Sequence, residues 1–252
     1  MRHLASVALT AIAFLLAAAT SDAEPLRAHQ IVYHLSFRGL GAGDLELRLT
    51  PGADANSWLY ETRAYPSVLA RLLVDADSRE RCWFRVTPAG VEPDRYLLED
   101  GTAAKKDNGE LRYDRAHGRV TGFARGAALD LPLEPGLQDV LSIRIAPVVD
   151  LLADRQPAEY ALLDGRDVKH YVYRRVGGER LQTALGHLDT VIYTSERTDA
   201  DGKGRTWQYW YAPSLGWLPV RAEQREDGHT RMALTVRSLK WLAATPPAGA
   251  AH

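Results

Sequence analysis

The chain holds one cysteine, Cys82, among its 252 residues. A single cysteine excludes an internal disulfide and a cysteine cluster for zinc. It also excludes a lipid anchor on a processed N-terminal cysteine, because Cys82 lies far from the chain start. Charge of one sign is missing too: 31 Lys and Arg face 32 Asp and Glu. That balance leaves no electrostatic footprint for nucleic acid and no polybasic run for anionic lipid. No Gly-x-Ser-x-Gly elbow, Ser-x-x-Lys pair or His-Glu-x-x-His motif occurs. The Gly-rich stretch Gly39-Leu40-Gly41-Ala42-Gly43 precedes no helix and reads as a hairpin connection, not a phosphate cradle. No catalytic residue, metal site or cofactor is predicted.

Only one long hydrophobic run is present, at residues 4–19. It falls short of the ~20 residues a membrane-spanning helix needs. Arg2 and His3 precede it, and Ser21-Asp22-Ala23 follows with small residues at the −3 and −1 positions. This is the three-part pattern of a secretory signal peptide. Residues 1–23 are therefore expected to be removed, with Glu24-Pro25 starting a mature chain exported to the periplasm of a Gram-negative-type bacterium. That product is not expected to be an integral membrane protein.

Period-two alternation dominates the rest. Ile31 to Phe37, Leu45-Glu46-Leu47-Arg48-Leu49 and Arg79 to Val86 alternate in polarity, as half-buried strands do. In that pattern Cys82 reads as a buried strand cysteine. Turn signals punctuate the strands: Pro51-Gly52, Pro88-Ala89-Gly90, Asn108-Gly109, Gly118, Asp164-Gly165, Gly177-Gly178, Gly186, residues 199–204 and Asp227-Gly228. Pro66 opens a short apolar segment, expected to be a one- or two-turn helix over 67–73. The clearest break is 136–152, where Asp139 can cap a helix carrying Val140, Leu141, Ile145 and Val148. Pro147 must kink that helix or split it in two. More than a dozen short strands with one helical insertion predict an all-β, antiparallel, strongly curved sheet. Such a sheet closes into a barrel or half-barrel, because a flat open sheet of that size is unfavourable. One domain is expected over 24–242, with a disordered Ala/Pro/Gly tail at 243–252.

Three segments carry a resemblance: Gln138-Asp139-Val140-Leu141-Ser142, Gly178-Glu179-Arg180-Leu181-Gln182-Thr183-Ala184-Leu185-Gly186, and Trp210-Tyr211-Ala212-Pro213-Ser214-Leu215-Gly216-Trp217-Leu218-Pro219-Val220-Arg221. With the opening hairpin they resemble the bacterial exported domain-of-unknown-function family DUF3108. The resemblance spans nearly the whole mature chain. It implies a periplasmic β-rich protein and no reaction. Ala184 and Trp217 stand where the family usually has Pro and often has Tyr.

Each family residue also has a plain structural reading. Gln138, Asp139 and Ser142 suit a helix start. Gly178, Glu179 and Gly186 suit a strand end and its turn. Pro213, Gly216 and Pro219 suit a turn between strands. The aromatic strand gives the candidate ligand-binding set: Trp207, Tyr209, Trp210 and Trp217 either face a ligand or anchor the packing. His34, His170 and His187 read as half-buried histidines. Three functions compete. The first is a non-enzymatic carrier whose curved sheet holds an apolar or amphipathic envelope molecule such as a lipid. The second is an envelope scaffold with a filled core that binds a partner protein at an edge or outer face. The third is a hydrolase in which Asp139, His170 and Glu179 converge.

Overall fold

The computed structural model describes residues 25–54, 56–68, 78–197 and 206–243. The expected leader, nearly all of the expected helix over 67–73, the whole 199–204 hairpin tip and almost all of the tail lie outside these residues. The strands are β1 His29–Phe37, β2 Leu40–Pro51, β3 Ser57–Pro66, β4 Arg79–Thr87, β5 Gly90–Glu99, β6 Gly109–Asp114 and β7 Arg119–Ala124. They continue as β8 Ala127–Pro132, β9 Glu159–Asp164, β10 Asp167–Thr183, β11 Gly186–Arg197, β12 Thr206–Ala212, β13 Leu218–Glu226 and β14 His229–Trp241. One helix, α1 Ser142–Leu152, lies between β8 and β9.

All fourteen strands form one antiparallel sheet, in the order β8-β7-β6-β5-β4-β3-β2-β1-β14-β13-β12-β11-β10-β9. Consecutive strands pair, apart from β8 and β9 at the two ends, and β1 pairs with β14 to join the two halves. The sheet curls without closing, so the architecture is a half-barrel, as the strand pattern predicts. Alternation sets the faces. In β6, Leu111 and Tyr113 are buried while Arg112 and Asp114 are exposed. Arg38-Gly39, Arg125-Gly126 and Asp227-Gly228 close three hairpins with positive φ at both residues, 49° and 79°, 49° and 73°, and 50° and 78°. That is the geometry whose twist matches paired strands.

The concave side is filled. Eight residues of α1, from Ser142 to Leu152, are buried, and α1 packs on β4 and β5. A helix apolar nearly all round belongs inside a core. Around it lie Ile31, Leu47, Leu49, Phe84, Val120, Leu137, Leu163 and a set of tyrosines including Tyr33, Tyr60, Tyr96, Tyr173 and Tyr211. Pro147 sits within a single continuous α1. Packing on the flanking β4 and β5 holds the turn that its missing N–H would otherwise release.

Three local expectations change. The hairpin after β1 turns at Arg38-Gly39, and Gly41 to Gly43 belong to β2. A Cβ on Gly43 would lie 2.2 Å from the Tyr65 carbonyl oxygen, so the glycine permits close strand approach instead of a turn. Gly177-Gly178 is no bend: β10 runs through it with a bulge at Val176. The hairpin expected at Asn108-Gly109 forms between β5 and β6, but its loop is longer, opening at Asp100 and closing at Gly109. Asp100 gathers that loop, accepting the N–H groups of Thr102 and Asp107 at 2.9 Å, while Asn108 accepts the N–H of Asp100.

β8 and β9 end the sheet, and the chain leading into α1 runs along the β9 edge. Gln138 pairs with β9: its N–H donates to Ala161 and its carbonyl accepts from Leu163, both at 2.8 Å. Its side-chain amide donates to the Val91 carbonyl at 2.9 Å, tying β9 to β5. Arg125 and Asp164 pair at 3.5 Å.

Candidate functional site

Directly paired residues of antiparallel strands share a face. The register therefore lines up Trp210, Arg221, Thr235, His34 and Asp44 on the convex face, opposite α1. Above them stands an arm. Residues 191–195 of β11 pair with β12, whereas residues 186–190 pair only with β10. The extra length of β10 and β11 curls over the convex face beyond the bulge at Val176. Trp210 pins it: the indole N–H donates to Glu179 Oε1 at 2.5 Å.

Between arm and sheet lies a groove of about 340 Å³. The arm contributes Leu181, Gln182, Thr183 and Ala184, β13 contributes Val220 and Arg221, and β14 contributes Thr235, Val236 and Arg237. The lining mixes apolar residues with the neutral polar Gln182, Thr183 and Thr235 and two arginines, and no acid belongs to it. Carboxylates hold the arginines from outside. Arg221 donates to Glu223, which is almost fully buried and also accepts from Thr230 Oγ1 at 3.1 Å. The Arg221 guanidinium lies 4.9 Å from the Trp210 ring centroid. Arg237 donates to Asp44 Oδ2 at 2.5 Å, and His34 Nδ1 lies 3.3 Å from Asp44 Oδ1. An amphipathic wall of this size can hold a small ligand.

The four candidate aromatic residues do not share one wall. Trp210 faces the groove side and is buried against Glu179 and Arg221. Trp207 and Tyr209, at odd positions of the same strand, face inward. They stack on each other at 5.8 Å, and Tyr209 stacks on Tyr173 at 6.0 Å. Trp217 follows the 3-10 turn Pro213–Leu215 with φ 59° and packs against the core. Gly216, at φ 62°, ends that turn, and the Pro219 carbonyl accepts the Tyr33 hydroxyl at 2.6 Å.

A second polar cluster is internal. Asp139 Oδ1 accepts the N–H groups of Leu141 and Ser142 at 2.8 Å, so it caps the turn leading into α1. Its Oδ2 accepts the Cys82 thiol at 3.1 Å. Burial holds the Asp139 carboxyl above its usual range and pushes the Cys82 thiol well up, the nearby Asp139 adding to the latter. A thiol held protonated is a poor nucleophile. Asp139, His170 and Glu179 do not converge. Asp139 is enclosed with Cys82, and His170 lies 3.7 Å from Glu134 and 3.6 Å from Glu159. Glu179 belongs to the arm, about 30 Å from His170 along an extended strand. Among the described residues, no three His, Cys, Asp or Glu side chains gather into a metal-holding group.

Of the groove, Leu181, Gln182, Thr183, Ala184, Val220 and Arg221 fall within the segments that stand out in sequence. Thr235, Arg237, Glu223 and Asp44 do not. The one available signal is the unequal length of β10 and β12, which leaves an unpaired arm.

The fold defines a class: β-barrel-like proteins in which one curled antiparallel sheet wraps a helix. The crystal structure of a β-barrel-like protein of domain of unknown function DUF1849 from Brucella abortus is similar, with a TM-score of 0.54 at 11% identity. The match covers 86% of this chain and 98% of that one. A protein with a YmcC-like fold from Bacteroides fragilis NCTC 9343 gives a TM-score of 0.41 at 11% identity, over 85% and 96% of the two chains. A chain of the Pseudomonas aeruginosa MucA/MucB complex gives 0.38 at 13% identity, over 87% and 53%. No curated protein matches the sequence. Residues 32–235 match the model of the family "Protein of unknown function (DUF3108)", and the chain belongs to that family.

Proposed function

We propose that this chain is an exported, periplasmic, non-enzymatic binding module that seats an amphipathic molecule of the cell envelope. The observation that carries this reading is the groove of about 340 Å³ between the β10–β11 arm and the convex face. The seat differs from the one strand patterning suggests. A hollow barrel would hold its ligand inside, but α1 and the tyrosines fill that space. The separation of Asp139, His170 and Glu179 argues against the hydrolase built on them. Residues 1–23 supply the export signal.

Two measurements test this. Native mass spectrometry of the protein purified from its own periplasm should show a co-purifying small amphiphile. A ligand-free species that also takes up no added amphiphile overturns the reading. Intact mass of the exported product should place its first residue at Glu24, and a product retaining Phe14 overturns the export assignment.

A second reading has one observation in its favour. β8 is an edge strand, and Gln138 covers β9 but not β8. An envelope partner could add a strand there. A photo-crosslinker at the exposed Ala128, used in intact cells, tests this; recovery of monomer alone removes it.

A further inference from the structure

We infer that the groove selects a single-chain anionic amphiphile, its oxyanion head on Arg221 and Arg237 and its chain along Leu181 and Ala184 of the arm. This rests on the groove being the seat of binding, and it adds the ligand's charge and shape.

Charge comes first. Two arginines and no acid line the groove. A guanidinium carries five N–H donors, and the structure spends few of them: Arg237 gives Nη1 to Asp44, and Arg221 gives Nη2 to Glu223. The carboxylates hold each guanidinium in place and leave donors over. Arg221 Nε is buried and has no hydrogen-bond partner among the described residues. A buried donor without an acceptor is costly, and more so when charged. An oxyanion between Arg221 and the arm supplies that acceptor at Nε. A cationic head would find no carboxylate among the groove's lining residues to accept it.

Shape comes second. A volume of about 340 Å³ lies near the lower end for ligand sites, roughly 300–1,000 Å³. It suits one acyl chain or a short polymer segment rather than a two-chain lipid. Access comes third. The arm is fastened to the sheet side by Trp210 and Glu179, and its bulge at Val176 lies before this clamp. The cover can therefore lift while the half-barrel stays intact.

The test uses the whole mature chain and four probes: dodecyl phosphate, dodecyl maltoside and dodecyltrimethylammonium, each below its micellar concentration, and inorganic phosphate. Calorimetry reads binding, and tryptophan emission compared with Trp210→Phe locates it. Dodecyl phosphate should bind most tightly. Arg237→Gln should weaken it about tenfold or more, the loss of one charged hydrogen bond. Arg237 is exposed, so that variant folds normally; Arg221→Lys keeps a charge where a neutral replacement would strand Glu223. Leu181→Asp should weaken dodecyl phosphate but not the thermal transition. Equal binding of the three amphiphiles overturns the head-group inference and leaves the groove as a site. Inorganic phosphate binding as tightly as dodecyl phosphate overturns the chain. Failure of all four to bind overturns both the inference and the groove reading beneath it.

Discussion

Trp210 and Glu179 stand 31 residues apart in the chain and share one hydrogen bond, from the indole N–H to a carboxylate oxygen. It fastens the β10–β11 arm to the sheet over the groove. A hydrogen bond to a charged group contributes about 1.5–3 kcal/mol. Trp210→Phe and Glu179→Ala should each lower stability to urea, and a double-mutant cycle should return a coupling in that range. Additive losses would mean that the arm is held by packing alone. The same variants should raise protease sensitivity within residues 177–190 before the core opens.

The sequence shows one side of this contact well and the other poorly. Alternation in Leu45-Glu46-Leu47-Arg48-Leu49 and in β6 gives strand identity and inward face directly. Asp139 is legible as a cap because its role is local: the N–H groups it accepts lie two and three residues on. The aromatic run 207–211 misleads if taken as one wall, since strand period sends Trp210 outward and Tyr209 inward. Gly177-Gly178 looks like a bend, yet the paired β11 keeps β10 extended and turns the pair into a bulge. The groove is the least legible part. It depends on the arm curling over strands far away in sequence, and no local pattern encodes that curl.

Asp139 makes a sharp stability test. Asp139→Ala removes the acceptor of the buried Leu141 and Ser142 N–H groups and should cost about 1–3 kcal/mol. Asp139→Asn keeps the Oδ1 acceptor and should lose less. The pH dependence has a definite sign. Burial raises the folded carboxyl above its value of about 4 in the open chain. The folded state then holds a proton that the unfolded state has released, so this contribution is present at low pH and is lost as pH rises through the folded value. Urea titrations from pH 4 upward should show a downward component in the wild type that is missing in Asp139→Asn.

Two tyrosines separate bonded from unbonded hydroxyls. The Tyr33 hydroxyl donates to the Pro219 carbonyl at 2.6 Å, whereas the Tyr113 hydroxyl is buried with no partner. Tyr33→Phe should cost about 0.5–1.5 kcal/mol. Tyr113→Phe should be neutral or stabilising, because it removes a buried polar atom that makes no bond. A large loss from Tyr113→Phe, measured by urea unfolding, would show that its hydroxyl is satisfied in solution.

The tyrosines lining the interior set an alkaline limit on the fold. Burial pushes Tyr173 up to about 12 and raises Tyr33, Tyr60, Tyr96, Tyr113, Tyr209 and Tyr211 by the same cause. In the unfolded chain these phenols ionise near pH 10. Above that pH the unfolded state has lost protons the folded state keeps, so stability falls as pH climbs from about 10 through the folded values. Seven phenols titrating together make the fall steep. Tyrosinate absorbance should rise in one cooperative step that coincides with loss of the far-ultraviolet β signal. A smooth, reversible titration of all eleven tyrosines with the β signal intact would show that the half-barrel admits water to its interior.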